Sequence, residues 1–130
     1  MITAESKGIP LIHEMAKQSG NNTYVLARKV PKLYMKDCIG VEVNSITTEK
    51  KQTLYLDQTD IDKMNGKRVL VVDDVISTGE SLEALVQLVE KSGGTVVAKM
   101  AILAEGDAAK RDDIIFLEPL PLFDNEGNAI

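Results

Sequence analysis

Cysteine, histidine and positive charge are all scarce in this sequence. Cys38 is the single cysteine and His13 the single histidine among 130 residues. One thiol forms no internal disulfide and no multi-thiolate metal site, and the chain offers no Ser-His or Cys-His pair for covalent catalysis. His13 falls with Glu14, Lys17 and Gln18 on the polar side of a predicted helix, where a solvated role is expected. The 15 basic residues are outnumbered by 20 acidic ones, and the net charge of −5 argues against the basic face that non-specific nucleic-acid binding requires. No apolar run approaches the roughly 20 residues that span a bilayer. The N-terminus also lacks the basic-then-apolar order of a secretory signal, so no membrane partner is expected and the compartment read from the sequence is the cytoplasm. No Gly-rich loop closes in Gly-Lys-Ser or Gly-Lys-Thr, which excludes a nucleotide-binding P-loop.

What is present centres on Arg68 to Ser81, RVLVVDDVISTGES. Val69, Leu70, Val71 and Val72 form the continuous apolar run of a strand covered on both faces. Two carboxylates, Asp73 and Asp74, follow, and then a Ser-Thr-Gly turn opens a helix. That helix is predicted from Leu82, Leu85, Val86 and Val89 at helical spacing, with Glu83, Gln87, Glu90 and Lys91 on its other face. Ser77 to Ser81 therefore lies at a helix N-terminus, where free N–H groups and the positive dipole end favour an anion.

The rest of the chain supplies the frame, and its 130 residues suffice for one domain with a core of its own. Met1 to Ala4 reads as the end of a strand and Glu5 to Gly8 as the loop leaving it; a chain that opens in this way is expected to continue upstream. Pro10 to Ser19 is a helix with Leu11, Ile12, Met15 and Ala16 on its apolar side, closed by Gly20. Thr23 to Ala27 is a second short strand, delivering Arg28, Lys29, Lys32 and Lys36. In an acidic protein that cluster is either a solvated face or a receptor for a polyanion.

Ile39 to Thr47 and Gln52 to Leu56 are predicted to form an antiparallel hairpin across Glu49-Lys50-Lys51, by default a plain structural hairpin, although an arm of this kind need not be core and could fold over a ligand. Thr59 begins a short helix stopping at Gly66. Val96 to Ala104 is a further strand, Lys110 to Asp113 a solvated charged connection, and Ile114 to Leu117 the start of a last strand that Pro119 and Pro121 confine to a sheet edge. The domain expected is 1–123, with the hairpin arm at about 32–57 and a frayed polar tail at 124–130. The fold class is α/β: an open, mostly parallel, Rossmann-like three-layer sheet with helices on both faces and an antiparallel hairpin arm.

In such a sheet ligands bind at the carboxyl ends of the strands. Asp73 and Asp74 are acceptors suited to a vicinal diol or to the water shell of a magnesium ion. Ser77, Thr78, Gly79 and Ser81 offer the hydroxyls and backbone N–H groups that hold a phosphate monoester. A diol beside a phosphate describes ribose 5-phosphate. A receiver domain, which also opens with VLVVDD, would need an Asp at the end of a later strand, whereas Asp112 and Asp113 precede one.

These residues resemble a known signature. VLVVDDVISTGES is similar to the phosphoribosyl-pyrophosphate (PRPP) motif of type I phosphoribosyltransferases, ESKGIPL resembles their pyrophosphate loop, and VLARKVPKLYM the segment leading into their flexible arm. Among branches the chain looks most like the adenine and xanthine (purine) phosphoribosyltransferases and the purine-operon repressor that reuses their domain. The resemblance implies that Asp73 and Asp74 hold the ribose hydroxyls and, with Lys29, form the catalytic set. It implies that Ser77, Thr78, Gly79, Glu80 and Ser81 wrap the 5-phosphate, and that Ser6, Lys7, Gly8, Arg28, Lys29 and Lys32 receive pyrophosphate. Magnesium would arrive with PRPP, near Asp73 and Asp74. The implied function is transfer of 5-phosphoribose from PRPP to a purine base, adenine first, in nucleotide salvage by a homodimer. The alternative is a non-catalytic PRPP-binding regulatory module related to the repressor domain.

Overall fold

Residues 1–43 and 52–130 are described by a computed structural model. Its elements are β1 (Ile2–Ala4), α1 (Ile9–Gln18), β2 (Val25–Ala27), β3 (Ile39–Val43), β4 (Gln52–Leu56), α2 (Gln58–Met64), β5 (Arg68–Ile76), α3 (Glu80–Lys91), β6 (Thr95–Glu105) and β7 (Ile115–Leu120). Five of these strands form one parallel sheet in the order β2-β1-β5-β6-β7, and β3 and β4 pair antiparallel as a separate two-stranded sheet. This is the fold class read from the sequence.

β5 is central because its apolar run serves two layers. Val69 and Val71 are buried with Leu82, Leu85, Leu88 and Val89 of α3 in the main core. Val72 is equally buried but lies outside that cluster, as do Ile12 and Ala16 of α1. Alternation along the strand accounts for the split, since consecutive side chains leave opposite faces. Right-handed crossovers, running from β1 to β2 in one direction and from β5 to β6 in the other, likewise put α1 and α3 on opposite faces. Packing holds α3 far more than propensity does, so Leu85→Ala is expected to cost about 2–5 kcal/mol.

Several boundaries differ from the sequence reading. β2 starts at Val25, not Thr23, because its partner β1 is only three residues long and pairs Ile2, Thr3 and Ala4 with Val25, Leu26 and Ala27. The cap of α2 is Asp57, two residues before Thr59: its side chain accepts the Asp60 N–H at 3.0 Å, completing a capping box. Beyond β6, a 3-10 turn at Gly106–Lys110 replaces the plain connection and seats Ala108 in the core. The tail is a closed turn and not a frayed end, since Asp124 accepts the N–H groups of Glu126 and Asn128, each at 2.9 Å.

The hairpin is core at its base. Val41, Val43, Leu54 and Leu56 are buried in the main cluster, and β3 lies against α3. The described strands therefore belong to the body of the domain, as the plain structural hairpin expected by default for this pattern does. The remainder of the expected hairpin, including its Glu49-Lys50-Lys51 turn, lies outside the described residues.

Candidate functional site

All strands of a parallel sheet end on one edge, so the loops after β1, β2, β5 and β6 share it. Chain order reverses at β1, which has β2 on one side and β5 on the other. The crevice between β1 and β5 is thus a topological switch point, the position where open α/β sheets take ligands.

The loop after β1 runs Glu5 to Gly8 directly into α1. Its Glu5–Ser6 peptide bond is cis, and Glu5 N–H donates to Ala27 O at 3.0 Å. Gly8 has no room for a side chain, because a Cβ there would strike the hydroxyl of Thr3. Thr3 is fully buried, and its Oγ1 has no hydrogen-bond partner among the described residues.

β2 ends in Arg28, which exchanges two backbone hydrogen bonds with Tyr55 of β4, at 2.9 and 2.8 Å. Arg28 Nη1 lies 3.2 Å from Glu5 Oε2, and the Lys29 N–H donates to Glu5 Oε1 at 2.7 Å. The Lys29 N–H first, then Arg28 and the charge of Lys32, hold the Glu5 carboxyl below its ordinary value although burial opposes them. The Arg28 guanidinium, the Lys29 backbone N–H and the charge of Lys32 therefore converge on one carboxylate beside the Glu5–Gly8 loop. Ser6 and Lys7 are exposed within that loop.

β5 runs on to Ile76, so the acidic pair lies inside the strand and not beyond it. Both carboxylates are half-buried, and alternation separates them. Asp73, on the face of Val71, lines a cleft of about 100 Å³ with Ser77, Thr78, Gly79, Glu80 and Ser81. Asp74, on the face of Val72, feels the charge of Lys7. Asp73 Oδ1 accepts the Asp74 N–H at 2.8 Å. Burial, then the neighbouring Asp74 carboxyl, push Asp73 up to about 7. Burial works in the same sense on Asp74, but hydrogen bonds from Asp73 and from the Val75 backbone outweigh it and keep that carboxyl low. The fold thus pushes the two carboxyls apart, favouring the protonated form of Asp73 and the ionised form of Asp74.

Gly79 caps α3 with φ at +83° and no side-chain hydrogen bond. The first helical bond is Glu83 N–H to Gly79 O, at 2.9 Å, which leaves the preceding N–H groups without helical acceptors. α1 likewise starts without a side-chain cap, whereas α2 carries the full capping box. The two helix ends at the crevice are the ones left open to an anion.

Sequence reading missed one residue here. Arg111, in the stretch taken for a solvated connection, places Nη1 2.6 Å from where a Cβ on Gly79 would sit. Asp113 accepts its Nε and Nη2 protons at 2.8 and 2.7 Å. A usable signal was present, because this connection leaves β6, the strand beside β5, on the same edge of the sheet. The tie of Glu5 to Arg28 had no local signature, being formed across 23 positions of chain.

For magnesium the donor set is informative. Among the described residues no three His, Cys, Asp or Glu side chains come together as a metal-holding group. Asp73 and Asp74 alone do not complete a magnesium shell. They suit an octahedral ion that brings most of its oxygen ligands with it, on phosphates and water. Among the described residues no helix is long and apolar enough to cross a membrane.

An open parallel sheet with two uncapped helix ends and an acidic pair at its switch point defines an α/β protein of the doubly wound class. The family model "Phosphoribosyl transferase domain" matches residues 2–125, and the chain belongs to that family. It is 32% identical over 111 residues to the hypoxanthine/guanine phosphoribosyltransferase of Methanococcus voltae, covering 85% of this chain and 55% of the relative. It is 37% identical over 105 residues to the adenine phosphoribosyltransferase of Thermotoga maritima, covering 81% and 57%. The crystal structure of adenine phosphoribosyltransferase from Rhodothermus marinus superposes with a TM-score of 0.73 at 27% identity, covering 92% of this chain and 68% of that one. The chain spans about half the length of the curated relatives it matches.

Proposed function

We propose that this protein is a purine phosphoribosyltransferase, of adenine type, that transfers 5-phosphoribose from PRPP to a purine in nucleotide salvage. The observation that carries this reading is the division of the crevice into two polar halves. Asp73 shares its cleft with the Ser77–Ser81 loop, while Lys7, Arg28, Lys29 and Lys32 gather around the Glu5–Gly8 loop. A sugar with a phosphate at one end and pyrophosphate at the other matches that order. The adenine preference rests on the higher identity to the adenine relative, 37% against 32%.

In the reaction the anomeric C–O bond breaks with its electron pair passing to pyrophosphate. A purine ring nitrogen forms the new C–N bond and gives up its proton. The open N–H groups at Gly79 to Leu82, with the hydroxyls of Ser77, Thr78 and Ser81, hold the 5-phosphate, and Glu80 contributes its backbone N–H. Asp73 and Asp74 accept from the ribose hydroxyls. Ser6, Lys7 and Gly8 with Arg28, Lys29 and Lys32 take the charge that develops on pyrophosphate. Magnesium bound to PRPP offsets phosphate charge when present. A cytoplasmic homodimer, with the domain at 1–123 and an arm at about 32–57, belongs to the same reading by family resemblance. Size-exclusion chromatography with light scattering tests the assembly.

The deciding assay measures pyrophosphate release from PRPP and magnesium with adenine, hypoxanthine, guanine and xanthine in turn. Turnover with adenine above the other three is expected. PRPP binding without turnover of any base would overturn the enzyme reading and leave a regulatory PRPP-binding module.

A further inference from the structure

The Ser77–Ser81 loop is well supplied with N–H groups and hydroxyls but poor in positive charge. Its segment carries Glu80, with Glu83 one turn on, and no lysine or arginine. A phosphate monoester at neutral pH brings ≈ −1.5 to −2 of further negative charge. Helix dipole and hydroxyls alone must then face a dianion beside two carboxylates, which calls for a cation from elsewhere in the fold.

Arg111 meets that need geometrically. It comes from the connection after β6 and reaches across to Gly79, with Nη1 2.6 Å from the position a Cβ would take. The guanidinium is a planar fork, and Asp113 engages one edge of it through Nε and Nη2. That contact fixes the plane and leaves Nη1, on the opposite side, directed at the loop with no acceptor among the described residues. Lys99 Nζ, 3.4 Å from Asp113 Oδ2, supplies a second cation to the same carboxylate. Asp113 is thereby shared between two cations, and Glu83 also lies within reach of the Arg111 charge.

We propose that Arg111, oriented by Asp113, is the side-chain cation of the 5-phosphate subsite, binding a phosphate oxygen through Nη1 over Gly79. This rests on the PRPP-site reading above and extends it to a residue outside the loop. Asp113 is a positioning residue in this arrangement.

The test separates the two ends of the ligand by using ribose 5-phosphate and inorganic pyrophosphate as individual probes in calorimetric titrations. Arg111→Gln is expected to weaken ribose 5-phosphate about tenfold or more, as loss of a hydrogen bond to a charged group does. It should leave pyrophosphate affinity and the melting temperature of the free protein unchanged. Arg111→Lys should recover part of the loss, and Asp113→Asn should show an intermediate loss. Ribose 5-phosphate affinity unchanged in Arg111→Gln overturns the proposal. So does an equal weakening of both probes with a lowered melting temperature, which marks a purely structural residue. Failure of the unaltered protein to bind ribose 5-phosphate would instead remove the underlying PRPP-site reading, and the inference with it.

Discussion

Glu5 accepts the backbone N–H of Lys29 at 2.7 Å and faces Arg28 Nη1 at 3.2 Å. The cations assigned to pyrophosphate are thus already organised around a carboxylate from the neighbouring loop. Because the fold lowers the Glu5 pKa, this tie is fully present above its ordinary value of 4.5 and is lost as pH falls through the lowered one. Glu5→Gln is expected to lower stability by about 0.5–1 kcal/mol at pH 7 and by less at pH 3. Urea midpoints at the two pH values check it, and matching midpoints at pH 7 would show that the tie contributes nothing.

Asp73 gives the opposite slope. The folded chain keeps this proton up to about pH 7, whereas the unfolded chain releases it near 3.8. Between those values the folded state binds more protons, so the contribution of this group to stability falls as pH rises and levels off above 7. Asp73→Asn should remove that slope in melts recorded from pH 5 to 8. An ionised carboxylate is the stronger acceptor for ribose hydroxyls. Ribose 5-phosphate affinity should therefore rise through pH 7 in the parent and stay flatter in Asp73→Asn, apart from the phosphate's own ionisation near pH 6.

Thr3 and Gly8 yield paired expectations of opposite sign. The Thr3 hydroxyl is buried without a partner among the described residues, and an unsatisfied buried polar group costs about 1–3 kcal/mol. Thr3→Val, which keeps the branched shape, is expected to raise the melting temperature. Gly8→Ala drives a methyl into the same hydroxyl and should cost about 1–3 kcal/mol. A fall in melting temperature for Thr3→Val would reveal a hydrogen-bond partner for the hydroxyl in solution.

Gly79→Ala meets two obstacles, a φ of +83° and the Arg111 guanidinium. The left-handed backbone alone costs an L-residue about 1–2 kcal/mol. Removing Arg111 as well should relieve only the steric part, so a double-mutant cycle on melting should give a coupling of about 0.5 kcal/mol or more. Strict additivity would place the guanidinium clear of the loop in solution.

Legibility of the chain followed the physics of each element. β5 and α3 were readable because one continuous apolar run and one 3.6-residue stripe encode burial locally. Leu88 and Ala84, buried but not among the predicted apolar positions, widen that stripe to a full face. The hairpin's alternation was visible, but its burial was not, because Val41 and Val43 acquire their neighbours from α3, far along the chain. Similarly, Asp73 and the Ser77–Ser81 loop are adjacent in sequence and could be read together. Arg111 stands 32 positions beyond Gly79, and its approach depends on a 3-10 turn for which the sequence carried no recognised cue.

The open starts of α1 and α3 bear on how this domain can be engineered. Gly8 and Gly79 stand where other helices carry Ser, Asp or Asn, caps worth about 1 kcal/mol, but a Cβ at either position meets Thr3 or Arg111. A side-chain oxygen at either place would occupy the N–H groups that now face the crevice, acting as a built-in competitor for any anionic ligand. The backbone therefore keeps both helix starts open, and the bound phosphate itself should serve as the missing cap, raising the melting point in proportion to the logarithm of its concentration.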